Sequence, residues 1–289
     1  MNKSFTLIEI LIVIVVIGVL SAFILVGMSS ITNSANITKG KAFSDSLRSS
    51  LLIDLVSEWK LDEGVGGTTK DSWGVSGGTL SGTPTWTNSN CISGNCLDFD
   101  GVDDYIDVGN DNSVRITDFI TIEYWSYTQG SSSNGYCSET VSKRGCYDIC
   151  CNDLFSTVDG HNDVALVDGL VPSLNVWYHV VYTYDSNARI GKFYRDSKLL
   201  NTRDVGSIYP GYATYKMGSS CGNLYISNSI YRFNGILDEI KIYKQVLAGI
   251  KIRENYYIGL NKLFKNKNIA LEEFNERVSK LKSNLANNE

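Results

Sequence analysis

Trp177-Tyr178-His179-Val180-Val181-Tyr182-Thr183-Tyr184 is an unbroken run of aromatic and β-branched residues with no glycine or proline, and its reading decides the fold class. Such side chains fit a pleated surface, and in a strand they point alternately to opposite faces. Phe119-Ile120-Thr121-Ile122-Glu123-Tyr124-Trp125 repeats the pattern, and one face of each run is apolar or aromatic. Outward from these two, residues 58 to about 247 consist of short runs rich in Val, Ile, Tyr, Trp and Thr. Clusters of Gly, Ser, Asn and Asp separate them at strand-and-turn spacing, which predicts a mainly β domain, sandwich or barrel.

The 289 residues suffice for one large β domain with a helical appendage. A net charge of −5 without a block of Lys/Arg excludes a dedicated nucleic-acid binder, so DNA is not an expected partner. The seven cysteines are Cys91, Cys96, Cys137, Cys146, Cys150, Cys151 and Cys221. Their crowding suits an exported domain stapled by disulfides. Zinc is disfavoured because no Cys-x-x-Cys pair is present and, of two histidines, only His161 lies near the cluster. Cys91 and Cys96 are close enough to pair locally, the odd count leaves one thiol over, and the remaining connectivity stays open.

From Leu7 to Met28 the chain is apolar apart from Glu9, Gly18, Ser21 and Gly27. At 1.5 Å per residue this covers a bilayer as a helix. An acid near the start of such a span is costly and implies a partner. Lys3-Ser4-Phe5-Thr6-Leu7-Ile8-Glu9, followed by Ile10 to Leu20, resembles the class III signal of type IV prepilins and pseudopilins. The resemblance implies that a prepilin peptidase cuts after Ser4, that the new amine on Phe5 is methylated, and that Glu9 of one subunit neutralises Phe5 of another. Glu9 is then an assembly residue that rewards correct register. Ser4 departs from the family's glycine before the cut, and Val26 stands where many pilins carry a helix-melting proline. With no proline before Pro84, the helix is expected to run to about Val56 through Ala42, Phe43, Leu47, Leu51, Leu52 and Leu55.

Within the β region, five stretches in order resemble the laminin-G-like, concanavalin-type jelly-roll family. They are Trp59 to Gly64, Asp71-Ser72-Trp73-Gly74, Leu97 to Ile106, Trp177 to Asp185, and Phe233 to Tyr243. The resemblance implies two packed antiparallel sheets. The family's Tyr-Val-Asp-Gly turn is degraded here to Tyr194-Arg195-Asp196-Ser197, which predicts a looser hairpin. Members often hold a structural Ca2+, and the matching carboxylates are Asp71, Asp100 and Asp238. The competing reading is that each aspartate satisfies its own turn. Carbohydrate is the ligand class the fold implies, with Trp73, Trp86, Tyr127, Tyr136, Tyr209 and Tyr212 as candidate stacking faces, although most aromatics in such a chain serve packing. Concanavalin-like hydrolases need two carboxylates across a cleft. No strand here carries Glu-x-Asp-x-Glu, Glu123 stands alone on its strand, and Asp238 and Glu239 point apart if extended, so the chain is expected not to be an enzyme.

Tyr136 to Asp153 is the least family-like stretch, an insertion with four cysteines suited to an exposed binding surface. After Leu247 two helices are expected, broken near Asn266-Lys267-Asn268, either packed on their own domain or partly frayed, or in contact with the N-terminal helix or a neighbouring subunit. The expected organisation is a leader over 1–4, a pilin helix over 5–57 with its membrane part at about 7–28, a jelly-roll domain over 58–247 and a helical tail over 248–289. The leading expectation is a pilin-like filament subunit, held in the cytoplasmic membrane before assembly, that displays a lectin-like module to carbohydrate or surface ligands. The alternatives are a pseudopilin of a type II secretion or DNA-uptake machine, and a membrane-tethered carbohydrate-active enzyme.

Overall fold

The computed structural model describes residues 54–130, 138–150, 154–158, 163–167, 172–205, 221–228 and 230–286. Two antiparallel sheets pack face to face, each with eight strands among these residues. The first runs β14 (Lys198–Asp204), β13 (Ile190–Arg195), β12 (Trp177–Asp185), β7 (Phe119–Thr128), β16 (Asn234–Tyr243), β5 (Cys96–Asp100) and β4 (Thr85–Thr87). β1 (Leu55–Trp59) joins it along the far end of β16, with Trp59 opposite Ile240. The second runs β11 (Asp163–Val167), β10 (Leu154–Val158), β9 (Tyr147–Cys150), β8 (Val141–Lys143), β15 (Leu224–Ile226), β6 (Tyr105–Gly109), β3 (Gly78–Ser81) and β2 (Thr68–Thr69).

The alternation of β7 and β12 sends Ile120, Ile122 and Tyr124, with Val180, Tyr182 and Tyr184, into the core between the sheets. There they meet Ile106, Val108, Leu224 and Ile226 of the second sheet. Each such side chain contributes about 1.5–3 kcal/mol on burial. The opposite face of the first sheet is buried as well. Trp125, Trp177 and Ile236 pack there against Tyr256, Leu260 and Leu263 of α1 (Gly249–Lys265). Phe274, Val278 and Leu281 of α2 (Leu271–Ala286) extend the same cluster. The helical tail therefore roofs its own domain.

The break between the helices falls where the asparagines predict it. Lys267 takes a positive φ of 61°, and the Lys267 and Asn268 amides turn back to Phe264 and Leu263 carbonyls. That is the usual way to satisfy a helix's last acceptors. Asn266 and Asn268 then donate from their side chains to the carbonyls of Ile92 and Cys91. The Cys91–Cys96 disulfide closes that small loop, so the helical hairpin hangs on a covalent staple.

Two local expectations differ from the structure. Leu55 and Val56 belong to β1, not to a helix reaching 56 or 57, because Leu55, Ser57 and Trp59 also alternate at period two and pairing with β16 decides for the strand. The Asp196–Ser197 hairpin is tight: Arg195 pairs with Lys198, and both central residues take positive φ, 48° and 65°. That is the primed turn whose twist matches the flanking strands. The Asp196 amide donates to the His179 carbonyl, and the Asp196 carboxylate accepts from the His179 amide at 3.0 Å, which compensates the strain. Ser4, Phe5, Glu9, the apolar stretch at 7–28, Tyr136, Cys137, Cys151, His161, Tyr209 and Tyr212 lie outside the described residues. Among the described residues no helix is long and apolar enough to cross a membrane.

Candidate functional site

Asp71-Ser72-Trp73-Gly74-Val75-Ser76 is a loop that carries an exposed aromatic and docks on β1. One Asp71 carboxylate oxygen accepts from the amides of Glu58 (2.9 Å), Trp73 (3.1 Å) and Gly74 (2.7 Å), and the other from Ser76 (3.1 Å). The Ser72 amide and hydroxyl both reach the Glu58 carbonyl, and Trp59 Nε1 donates to the Ser76 carbonyl at 2.8 Å. Gly74 passes so close to the Val56 carbonyl that no Cβ fits there. Asp71 is thus the hub of an Asx-type loop. The loop's product is Trp73, 47% exposed, with Val75 80% exposed beside it in the chain. An aromatic face held outward by backbone bonds offers a stacking surface at little ordering cost.

The three carboxylates matched to calcium are held by three different segments. Asp100 ends β5 opposite Asn234 and accepts the Val102 amide at 2.7 Å. With Asp103 and Asp104 it forms the group of carboxylates close enough to share an ion among the described residues, and neither Asp71 nor Asp238 joins it. The donor chemistry suits a hard cation. Asp104, however, already accepts the Thr83 and Asp100 amides on its two oxygens, so the turn is held by its own backbone.

Asp238 sits at a bulge. Register against β7 slips between Asp238 and Lys241, and Glu239 takes φ 51°. Asp238 and Glu239 therefore do not point apart: Asp238 accepts the Ile92 amide at 2.8 Å, while Glu239 pairs with Lys262 of α1 and with Lys241. Burial, then the charge of Glu239, pushes Asp238 well above the usual carboxylate range.

Under the helical roof Glu123 is not alone. Its carboxylate meets His179 Nε2 at 3.0 Å and accepts from Asn255 Nδ2 of α1 at 2.8 Å. Desolvation would raise this carboxyl, but the His179 hydrogen bond, the charges of Lys241 and His179 and the Asn255 amide outweigh it and hold it down at about 2. For Lys241, burial is likewise outweighed, here by Glu123, Glu239 and Glu58, and the ammonium is raised. His179 is fully buried against Trp125, a packed residue as its aromatic neighbours imply. The Glu123–His179 pair escapes sequence reasoning because 56 residues separate its members, although strand pairing places His179 opposite Trp125, two positions along from Glu123.

A cleft of about 680 Å3 opens between α2 and the β12–β14 edge, lined by Tyr178, Arg195, Lys198, Leu200, Arg277 and Lys280 among others. Trp86 donates Nε1 to the Gly66 carbonyl, and Tyr127 packs on Trp177, so both serve the framework. In the insertion, Cys146 pairs with Cys221, a link of 75 residues that spacing alone does not reveal. Burial also pushes Glu139 up to about 7, with a further upward push from the charge of Asp148.

The family described as the concanavalin A-like lectin/glucanases superfamily matches residues 100–253, and the prokaryotic N-terminal methylation motif matches residues 1–25. No curated protein matches the chain. Among solved structures it is similar to the binding domain of Paraclostridial Mosquitocidal Protein 1, with TM-score 0.56, 13% identity, and coverage of 73% of this chain and 53% of that one. It is also similar to the binding domain of botulinum neurotoxin serotype G, with TM-score 0.54, 11% identity, and coverage of 72% and 51%. The chain spans about half the length of these two binding domains. Domain 4 of AbnA, a GH43 extracellular arabinanase from Geobacillus stearothermophilus, in complex with arabinotriose, is covered over 97% of its length and 70% of this chain, with TM-score 0.51 and 14% identity. At these identities the likeness is one of fold alone.

Proposed function

Because the chain belongs to the concanavalin A-like lectin/glucanases superfamily and carries a prokaryotic N-terminal methylation motif, we propose that it is a type IV pilin-like subunit displaying a saccharide-binding module. The membrane holds the precursor, a prepilin peptidase cleaves after Ser4, and Glu9 of one subunit neutralises the methylated Phe5 amine of its neighbour as they assemble outside the cell. In this reading the β domain binds its ligand and does not turn it over. Glu123, the acid on the central strand, has both oxygens engaged by His179 and Asn255 beneath the helices.

The observation that carries the binding assignment is Trp73, half out in solvent on a loop whose backbone amides are gathered by Asp71. A ring so placed is an anchor for a sugar face. The arabinotriose-bound domain of the arabinanase lends support from a shared fold. Trp73→Ala is expected to lower retention of chain-bearing filaments on immobilised polysaccharides by roughly 30-fold, the effect of losing an anchor worth about 2 kcal/mol. Thermal unfolding of the variant stays at the wild-type temperature, since the ring is not part of either core. Retention equal to wild type would remove Trp73 from the site.

A further inference from the structure

We propose that Glu139 and Asp148 hold a divalent cation of the calcium class, a site distinct from Asp71, Asp100 and Asp238. Ser142 of β8 lies directly opposite Asp148 of β9. Val141, Tyr147 and Ile149 of this hairpin enter the core, so Ser142 and Asp148 face the other side. Glu139 comes alongside them because the Thr140 amide bonds the Ile149 carbonyl and the Asn228 amide bonds the Glu139 carbonyl. Both acids are deeply buried, Glu139 at 7% exposure and Asp148 at 6%.

The neutral groups around them are shared, since Ser142 and Asn228 also hydrogen-bond the Glu139 side chain. Ser142 donates to Asp148 Oδ1 at 2.7 Å and accepts from Asn228 Nδ2 at 2.9 Å, while Asn228 Oδ1 takes the Ile230 amide at 2.7 Å. Glu139 Oε2 is sealed from solvent and has no hydrogen-bond partner. Lys143 does not serve it, since its Nζ goes to Asn110 Oδ1 and the Gly222 carbonyl, and the Arg144 side chain is exposed. A buried carboxylate oxygen without a donor is costly, and a second buried carboxylate beside it adds repulsion. One divalent ion removes both costs, because its charge balances the two acids and the donors are all oxygen, the ligand set of calcium and not of zinc.

The acidic turn at Asp100, Asp103 and Asp104 lacks this need. Asp104 is buried but served by amides on both oxygens, and the other two acids are exposed. An ion at Glu139 and Asp148 would tie the β8–β9 hairpin to the 227–231 segment. The same hairpin is stapled by Cys146–Cys221, so ion and disulfide would fix one surface from two sides.

The test is calorimetric titration of Ca2+ into the full detergent-solubilised chain after chelator treatment, comparing wild type with Glu139→Gln, Asp148→Asn and Asp103→Asn. The expected result is one site in wild type, weakened at least about tenfold in the first two variants through the loss of ligand charge, and unchanged in Asp103→Asn. In chelator, Glu139→Gln is expected to melt no lower than wild type, because it removes a repelling charge while keeping its shape, and this separates lost binding from lost folding. Wild-type affinity in both Glu139→Gln and Asp148→Asn, a loss confined to Asp103→Asn, or no binding by wild type would each overturn the assignment.

Discussion

Glu123→Ala is expected to destabilise the β domain by about 3–5 kcal/mol, the range for removing one partner of a buried charged set. Glu123 is the hinge of the layer between the first sheet and α1. It takes His179 Nε2 on one oxygen and Asn255 on the other, and its charge is one of those that hold the partly buried Lys241 ammonium. Alanine leaves that ammonium facing Glu58 and Glu239 alone, strips Asn255 of its acceptor and opens a void beneath Trp125. The pH dependence follows with a definite sign. A carboxyl held at about 2 in the folded domain against an ordinary 4.5 contributes stability that is present in full above 4.5. That contribution is lost as pH falls from about 4.5 toward about 2. Denaturant unfolding at pH 7, 4 and 3 checks both statements. Glu123→Gln keeps the volume and the Asn255 contact, so its loss should be smaller and its profile flatter over this acid window.

Gly259→Leu is the second large effect. Gly259 lies on the buried face of α1, and a Cβ built there would stand 2.6 Å from Trp125 Cε2 and 2.7 Å from its Nε1. Trp125 cannot yield, because it is stacked on Tyr256 of the same helix and packed on His179 below. The helix must therefore lift, giving up contacts of Leu260 and Leu263 with the sheet. Overpacking of this kind costs about 3 kcal/mol, a fall of roughly 6–12 °C in Tm for a domain of this size. Even Gly259→Ala should destabilise: alanine gains about 1 kcal/mol in helix propensity, but the first atom it adds is the one that collides. Thermal unfolding of the two variants, with alanine between wild type and leucine, checks the order.

These two sites also mark where sequence reasoning stops. The alternation of the Trp177 to Tyr184 run located a central strand and its core face, and the asparagines at 266 and 268 located the break between the helices. Nothing local to Glu123 or His179 says that their face is covered, because the roof comes from α1, about 130 residues beyond Glu123 in the chain. Period-two reading assigns Asp238 and Glu239 to opposite faces, and only the bulge with Glu239 at positive φ turns both toward the helix. Leu55 and Val56 fit the end of a helix as well as the start of a strand, and β16 decides for the strand through pairing that no local window contains.

The candidate site was legible in part. Trp73 and Asp71 stand among the residues singled out from the sequence, and the Asx reading of Asp71 describes the loop it builds. What the sequence could not convey is that Asp71 gathers the Trp73, Gly74 and Ser76 amides and so fixes the backbone beside an exposed ring. Cys91–Cys96 was visible from proximity, whereas Cys146–Cys221 needed β8 and β15 to pair first.

The most direct test of a processed, exported subunit carrying a stapled β domain is the intact mass, without reductant, of the chain recovered from cell-surface shear fractions. The account predicts a chain beginning at methylated Phe5 and lighter by about two hydrogens for each disulfide. An uncleaved chain of 289 residues confined to the membrane would contradict it.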